Sequence, residues 1–139
     1  MEASEIKDIA KKCEIFKTLD EEEFDLLLFY GELKDFASGA TVYKIGETAE
    51  GTFCLILSGS VEIVTQTGSR IRKMSPSEII GEIGATSPQN KRTVTVRTLE
   101  PTSLLEWEIK HIGTRWPALL KKLKDQAWKH LAQYYESTK

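Results

Sequence analysis

Residues 52–74 read Thr52-Phe53-Cys54-Leu55-Ile56-Leu57-Ser58-Gly59-Ser60-Val61-Glu62-Ile63-Val64-Thr65-Gln66-Thr67-Gly68-Ser69-Arg70-Ile71-Arg72-Lys73-Met74. The first segment is rich in apolar residues and stops at Ser58-Gly59-Ser60. Val61 to Thr65 then alternates, and Gln66 to Ser69 is a hairpin turn into Arg70–Met74. The same texture extends from Leu33 to about Ile109. Arg92 to Thr98 alternates cleanly, and Ser103 to Ile109 follows the break at Glu100-Pro101. Short strands at this spacing, with glycine between them, predict an antiparallel sandwich or barrel. No period of 20–50 residues repeats, which excludes a solenoid.

Helical patterns flank this region. Ile6, Ile9, Ala10 and Cys13 share one helix face behind Ser4, a reasonable N-cap. Asp20 with Glu23 three positions on reads as a capping box for a second helix carrying Phe24, Leu27 and Leu28, with Gly31 as its stop. After Gly113 the period is helical again over about 20 residues: Trp116, Leu120, Leu123, Ala127, Leu131 and Tyr134 recur at 3 or 4, and Pro117 sits in the first turn. Such a stripe must meet the barrel, a ligand or a second copy of the chain, so a homodimer through 116–134 is one expectation.

The 139 residues (15.7 kDa, 40% hydrophobic, 29% charged) suffice for one domain with one core, 1–139. No apolar run approaches the roughly 20 residues that span a bilayer, and the start lacks a secretory signal. Cys13 and Cys54 are too few for a disulfide framework or a cysteine zinc site, so a reducing, cytoplasmic setting is expected. The net charge of −2 argues against nucleic acid as a partner. Residues 1–50 carry 13 acidic and 6 basic side chains, whereas 110–139 carry 2 and 7. The basic residues of that tail are scattered along the helix, as on a solvated face.

Residues 78–92, Glu78-Ile79-Ile80-Gly81-Glu82-Ile83-Gly84-Ala85-Thr86-Ser87-Pro88-Gln89-Asn90-Lys91-Arg92, are too long and irregular for a hairpin. A short helical turn starting at Gly81 exposes unpaired backbone N–H groups. Arg92 at the rim supplies a planar fork suited to two phosphate oxygens, and Glu82 an acceptor for ribose-type hydroxyls. The plainer reading pairs Glu82 with Arg92 as an internal ion pair.

Two stretches carry a family resemblance. Gly39 to Gly46 followed by Thr52 to Val61 resembles the glycine-punctuated first half of the β-roll in cyclic-nucleotide-binding domains, the superfamily of the catabolite activator protein and the protein kinase A regulatory subunits. Gly81-Glu82-Ile83-Gly84-Ala85 with Arg92-Thr93 resembles its phosphate-binding cassette. The likeness covers roughly residues 14–135. It implies a mainly β fold with flanking helices: a double-stranded, jelly-roll-like β-roll (32–110, cassette 81–93), N-terminal helices (1–31) and a long C-terminal lid helix (111–139). It further implies a non-catalytic regulatory domain with no cofactor, whose ligand is cAMP or cGMP. Arg92 is similar to the arginine that binds the exocyclic phosphate oxygens and Glu82 to the glutamate that holds the ribose 2′-hydroxyl. Gly81, the backbone N–H groups of Ile83 and Gly84, and the Thr93 hydroxyl complete the phosphate cradle. Ile71, Ile80 and Val94 are apolar neighbours of ribose and base, and Leu131, Tyr134 or Tyr135 caps the base when the helix closes. Threonine after the arginine resembles cGMP-responsive members but also occurs in domains that take cAMP, so cAMP with cGMP admitted is the expectation.

Three positions depart from the family pattern. Ala85 replaces a leucine that links cassette to hinge, Ser77 a glycine, and Val94 a small alanine; the charge partners are intact. A cupin-type metal enzyme needs clustered histidines, and His111 and His130 both lie beyond the last strand, where surface positions are expected. No histidine stands near a plausible cleft to activate a nucleophile. The alternative is a ligand-free β-roll that binds a protein partner. With no helix-turn-helix after the long helix, the chain is expected to be a free-standing sensor, acting on a downstream protein unknown from sequence, or one piece of a longer protein.

Overall fold

The computed structural model describes residues 1–137, with side chains described through Gln133. Helix α1 (Ala3–Lys11), a 3-10 turn (Glu14–Phe16) and α2 (Glu21–Tyr30) precede strands β1 (Glu32–Phe36), β2 (Thr41–Tyr43), β3 (Thr52–Ser58), β4 (Val61–Val64), β5 (Arg70–Met74) and β6 (Ile79–Ile80). Helix α3 (Glu82–Thr86) follows, then β7 (Thr95–Thr98), β8 (Thr102–Glu108), α4 (Ile109–Arg115) and α5 (Pro117–Ser137). Two four-stranded antiparallel sheets, β1-β8-β3-β6 and β2-β7-β4-β5, face each other as a β-roll with helices at both chain ends.

Strand β3 accounts for the apolar run at residues 53–57. Phe53, Leu55 and Leu57 point out towards the helices, while Cys54 and Ile56 point into the roll. A strand covered on both faces reads as continuous hydrophobic residues rather than an alternation. The outer core joins those three residues to Phe16, Phe24, Leu27, Trp107, Ile112 and Leu123; the inner core joins Cys54 and Ile56 to Ile63, Met74, Val96 and Leu104. Trp107 ties the sheet to the N-terminal helices within the outer core: its ring stacks on Phe53, meets Phe16 edge-on, and its Nε1 donates to the carbonyl of Leu27, 2.7 Å away.

Local signals hold at α2, where Asp20 and Glu23 form the reciprocal capping box and Gly31 ends the helix. Elsewhere the boundaries shift. Helix α1 starts two residues early, capped by Glu2 rather than Ser4, because the Glu2 carbonyl already accepts from Glu5 and Ile6. The strand expected from Arg92 begins only at Thr95, because the Arg92 backbone bonds to Gly46 and Glu47 instead of the sheet. Ser77 has φ +74°, the left-handed region in which glycine is free and serine is strained. Its backbone N–H bonds to Ile56 and its hydroxyl to the Ile9 carbonyl, 3.1 Å away, which offsets that strain.

The C-terminal segment is two helices, since the residue before Pro117 cannot take helical geometry. Trp116, Leu119, Leu123, Ala127 and His130 form the buried face of the region, whereas Leu131 and Trp128 remain exposed. Trp116, Leu123 and Ala127, half of the stripe considered for a homodimer, therefore pack on their own domain. The expectation that both histidines are surface residues fails for His130, which is 7% exposed. No described helix is long and apolar enough to cross a membrane.

Replacing Trp107 by Phe removes the bond to Leu27 and part of the ring. It is expected to lower unfolding stability by roughly 1–3 kcal/mol, read from the urea midpoint at constant slope.

Candidate functional site

The cassette is built as its spacing predicts. Gly81 is the N-cap of α3 at φ +84°, and a Cβ there would stand 2.6 Å from a Tyr43 ring carbon and 3.0 Å from Arg92 Nη1. Both the backbone conformation and the close approach require glycine. Glu82, Ile83, Gly84 and Ala85 are all buried, with Ile83 in the inner core and Ala85 in the outer one. The methyl of Ala85 thus lies where cassette, sheet and helices meet.

Arg92 is 6% exposed. Its Nη1 donates to the Gly81 carbonyl (3.0 Å), and its Nη2 to the Ala49 carbonyl (2.9 Å) and Thr52 Oγ1 (2.8 Å). The guanidinium carbon lies 3.5 Å from the centre of the Tyr43 ring, a cation–π contact in a dry setting. Burial pushes the Tyr43 hydroxyl well above its ordinary pKa, so it stays neutral; it meets Cys54 Sγ at 3.0 Å, which in turn lies 3.8 Å from Glu106 Oε2. The plain alternative of a Glu82–Arg92 ion pair is not what forms.

Glu82, 2% exposed, is bonded through Oε1 to His130 Nδ1 on α5. A carboxylate only accepts, so Nδ1–H donates. Arg72 Nη1 lies 3.5 Å from the other ring nitrogen, Nε2, and 3.4 Å from Gln133 Oε1, while Arg72 Nη2 donates to Glu78 Oε2 at 3.0 Å. A guanidinium only donates, so Nε2 faces it as an acceptor, which selects the Nδ1–H tautomer.

Between these groups lies a narrow cleft of about 20 Å³, lined by Tyr43, Ile63, Ile80, Val96 and the cassette residues Gly81 to Gly84 with Arg92, Thr93 and Val94. The structure therefore brings eight of the expected ligand residues to one place: Gly81, Glu82, Ile83, Gly84, Arg92, Thr93, Ile80 and Val94. Ile71 stands outside that lining and packs against the inner core. Leu131 is on α5 and 37% exposed, and the side chains of Tyr134 and Tyr135 lie outside the described ones. Sequence reasoning missed His130, Tyr43 and Arg72. His130 had one available signal: it continues the 3–4 spacing of Leu119, Leu123 and Ala127.

Two antiparallel sheets enclosing a short helix that carries the glutamate, with the arginine beside its first turn, define a β-roll module. The family model for the cyclic nucleotide-binding domain matches residues 33–113, and the chain belongs to that family. Compared by sequence, none of the curated proteins matches this chain. Among solved structures, a cyclic nucleotide-binding domain from Methylobacillus flagellatus KT aligns at TM-score 0.74 and 22% identity, over 96% of this chain and 79% of that one. The regulatory domain of Toxoplasma gondii protein kinase A, crystallised with cAMP, aligns at 0.71 and 17% identity, over 80% of this chain and 43% of that one. The regulatory subunit of a cAMP-independent protein kinase A from Trypanosoma brucei aligns at 0.81 and 18% identity, over 95% of this chain and 48% of that one. This chain thus spans less than half of either kinase regulatory structure. Identities this low speak to the fold.

Two predictions come from these contacts. Burial pushes both thiols, Cys13 and Cys54, up to about 12. Because the thiolate is the reactive form, Ellman's reagent at pH 8 should titrate almost no thiol in the native protein and both after denaturation. Arg92→Ala strands the Gly81 and Ala49 carbonyls and should cost about 3 kcal/mol of stability. A urea midpoint equal to wild type would show that the guanidinium does not hold this corner together.

Proposed function

We propose that the chain is a regulatory, non-catalytic domain that binds a cyclic nucleotide, cAMP with cGMP also admitted, and signals its occupancy through α5. The observation that carries the reading is the convergence of buried Arg92 and buried Glu82 on one cleft across Gly81. Burying ionisable groups is unfavourable unless each has a partner, and an opposed pair that is not bonded to itself is suited to a ligand with separate anionic and hydroxyl ends. In this reading the phosphate meets Arg92, whose Nε–H and second Nη1–H are not engaged by the bonds described above. The ribose hydroxyl takes Glu82, the backbone of Ile83 and Gly84 and the Thr93 hydroxyl complete the cradle, and Ile80 and Val94 flank ribose and base. Two buried free thiols suit a reducing, cytoplasmic setting.

A second reading has its own support: both charged groups already have partners within the chain, and Trp128 is 74% exposed on α5. A β-roll that has given up its ligand and binds a protein partner would look similar.

Calorimetric titration of the chain with cAMP and cGMP, with 5′-AMP as control, separates the two. Nucleotide carried through purification is first removed by unfolding and refolding. Micromolar or tighter binding of a cyclic form is expected, with 5′-AMP much weaker. Arg92→Lys, which keeps the charge but loses the fork, should weaken binding by roughly 1.5–3 kcal/mol, about ten- to hundredfold. Binding of 5′-AMP as tight as that of the cyclic forms, or no heat from any of them, would reject the reading.

A further inference from the structure

The C-terminal helix occupies the site from inside the chain. Helix α5 reaches the cassette through Ala127, which packs in the inner core with Ile83, and through His130, which donates to Glu82. Arg72 of β5, itself paired with Glu78, sits against the far side of the His130 ring and against Gln133. Glu82 is 2% exposed and its Oε1 is taken by His130, so with the helix docked almost none of the carboxylate is open to a hydroxyl from solvent. The one carboxylate suited to a ribose is therefore already bonded, and its partner is a side chain of the element expected to report on the ligand.

The geometry points to His130 as a tethered competitor: docking of α5 on Glu82 and binding of a ribose hydroxyl to Glu82 exclude each other. The ligand then opens the helix instead of closing it. This inference rests on the cyclic-nucleotide reading above and gives that reading a sign. It reverses the movement implied by the family resemblance, in which the lid closes over the base. Docking is not without cost. Gln126, one turn before His130 on the same helix, has a buried Oε1 with no hydrogen-bond partner among the described residues, and a stranded acceptor of that kind offsets part of what docking gains. Removal of a competitor raises apparent affinity by the inverse of the competent fraction.

Two measurements on the full chain test this. In calorimetry with cAMP, His130→Ala should bind roughly ten- to hundredfold more tightly than wild type, the range for one hydrogen bond to a charged group. Hydrogen exchange of amides 124–133 should speed up when cAMP is added to wild type, and should already be fast in His130→Ala without ligand. His130→Asn is carried alongside, and is read in place of the alanine variant if thermal melting shows that variant unfolded. Equal or weaker binding by the His130 variants, or cAMP-induced protection of 124–133, overturns the competition while leaving the cyclic-nucleotide reading intact. Absence of cyclic-nucleotide binding by wild type and variants alike overturns both.

Discussion

A guanidinium taken out of water must find acceptors, and the β-roll is organised around where Arg92 finds them. They come from separate parts of the chain: the Ala49 carbonyl just before β3 with the Thr52 hydroxyl at its first residue, and the Gly81 carbonyl at the start of α3. The face of Tyr43 at the end of β2 covers the group. Satisfying it therefore pins the 49–52 segment to the cassette. The same requirement excludes a side chain at Gly81, and the Arg92 backbone, bonded to Gly46 and Glu47, keeps β7 from starting before Thr95.

Glu82 presents the complementary requirement. One residue after the glycine turn it is carried into the interior, where a carboxylate without a donor is costly. In the related picture of a ligand-bound domain, a ribose supplies that donor. Here the donor is His130, delivered by a helix whose small Ala127 lets it approach the inner core. Cassette and helix are thus linked by a polar bond as well as by packing. This bears on Ala85: a family leucine at that position supplies the mechanical link, whereas this chain places a methyl there and a histidine–glutamate contact nearby. Under the competition proposed above, coupling between site and helix passes through this polar pair, which exchanges one partner for another instead of sliding.

The architecture was legible wherever the signal was local or periodic. The apolar run 52–57 and the alternation at 61–64 marked a buried strand and its neighbour, and Asp20 with Glu23 marked the start of α2. The glycine spacing at 81 and 84 placed the short helix correctly. Misreadings fell where long-range hydrogen bonds overrode local pattern. Arg92 looked like the first residue of a strand because its neighbours alternate, yet its backbone pairs with a loop more than forty residues away. On the last helix Leu120 and Leu131 looked like stripe members, yet Leu119 and His130 are the ones turned inward.

What the sequence by itself determined is the inventory and its order: one β-roll between helices, one cassette, one arginine and one glutamate in a chain with too few clustered histidines for a metal site. Backbone propensity, apolar periodicity and glycine placement are properties of neighbouring residues, so a single sequence carries them. Only the tertiary structure decided the partners. Whether Glu82 would meet Arg92, a histidine or open solvent depends on how α5 rotates and how closely it approaches α3. That rotation is set by the fit of α5, through Ala127, Leu123 and Leu119, against α3, α4 and the 3-10 turn. Burial converts this fit into chemistry: once Glu82 and Arg92 leave water, each must take whichever donor or acceptor the packed chain brings within reach.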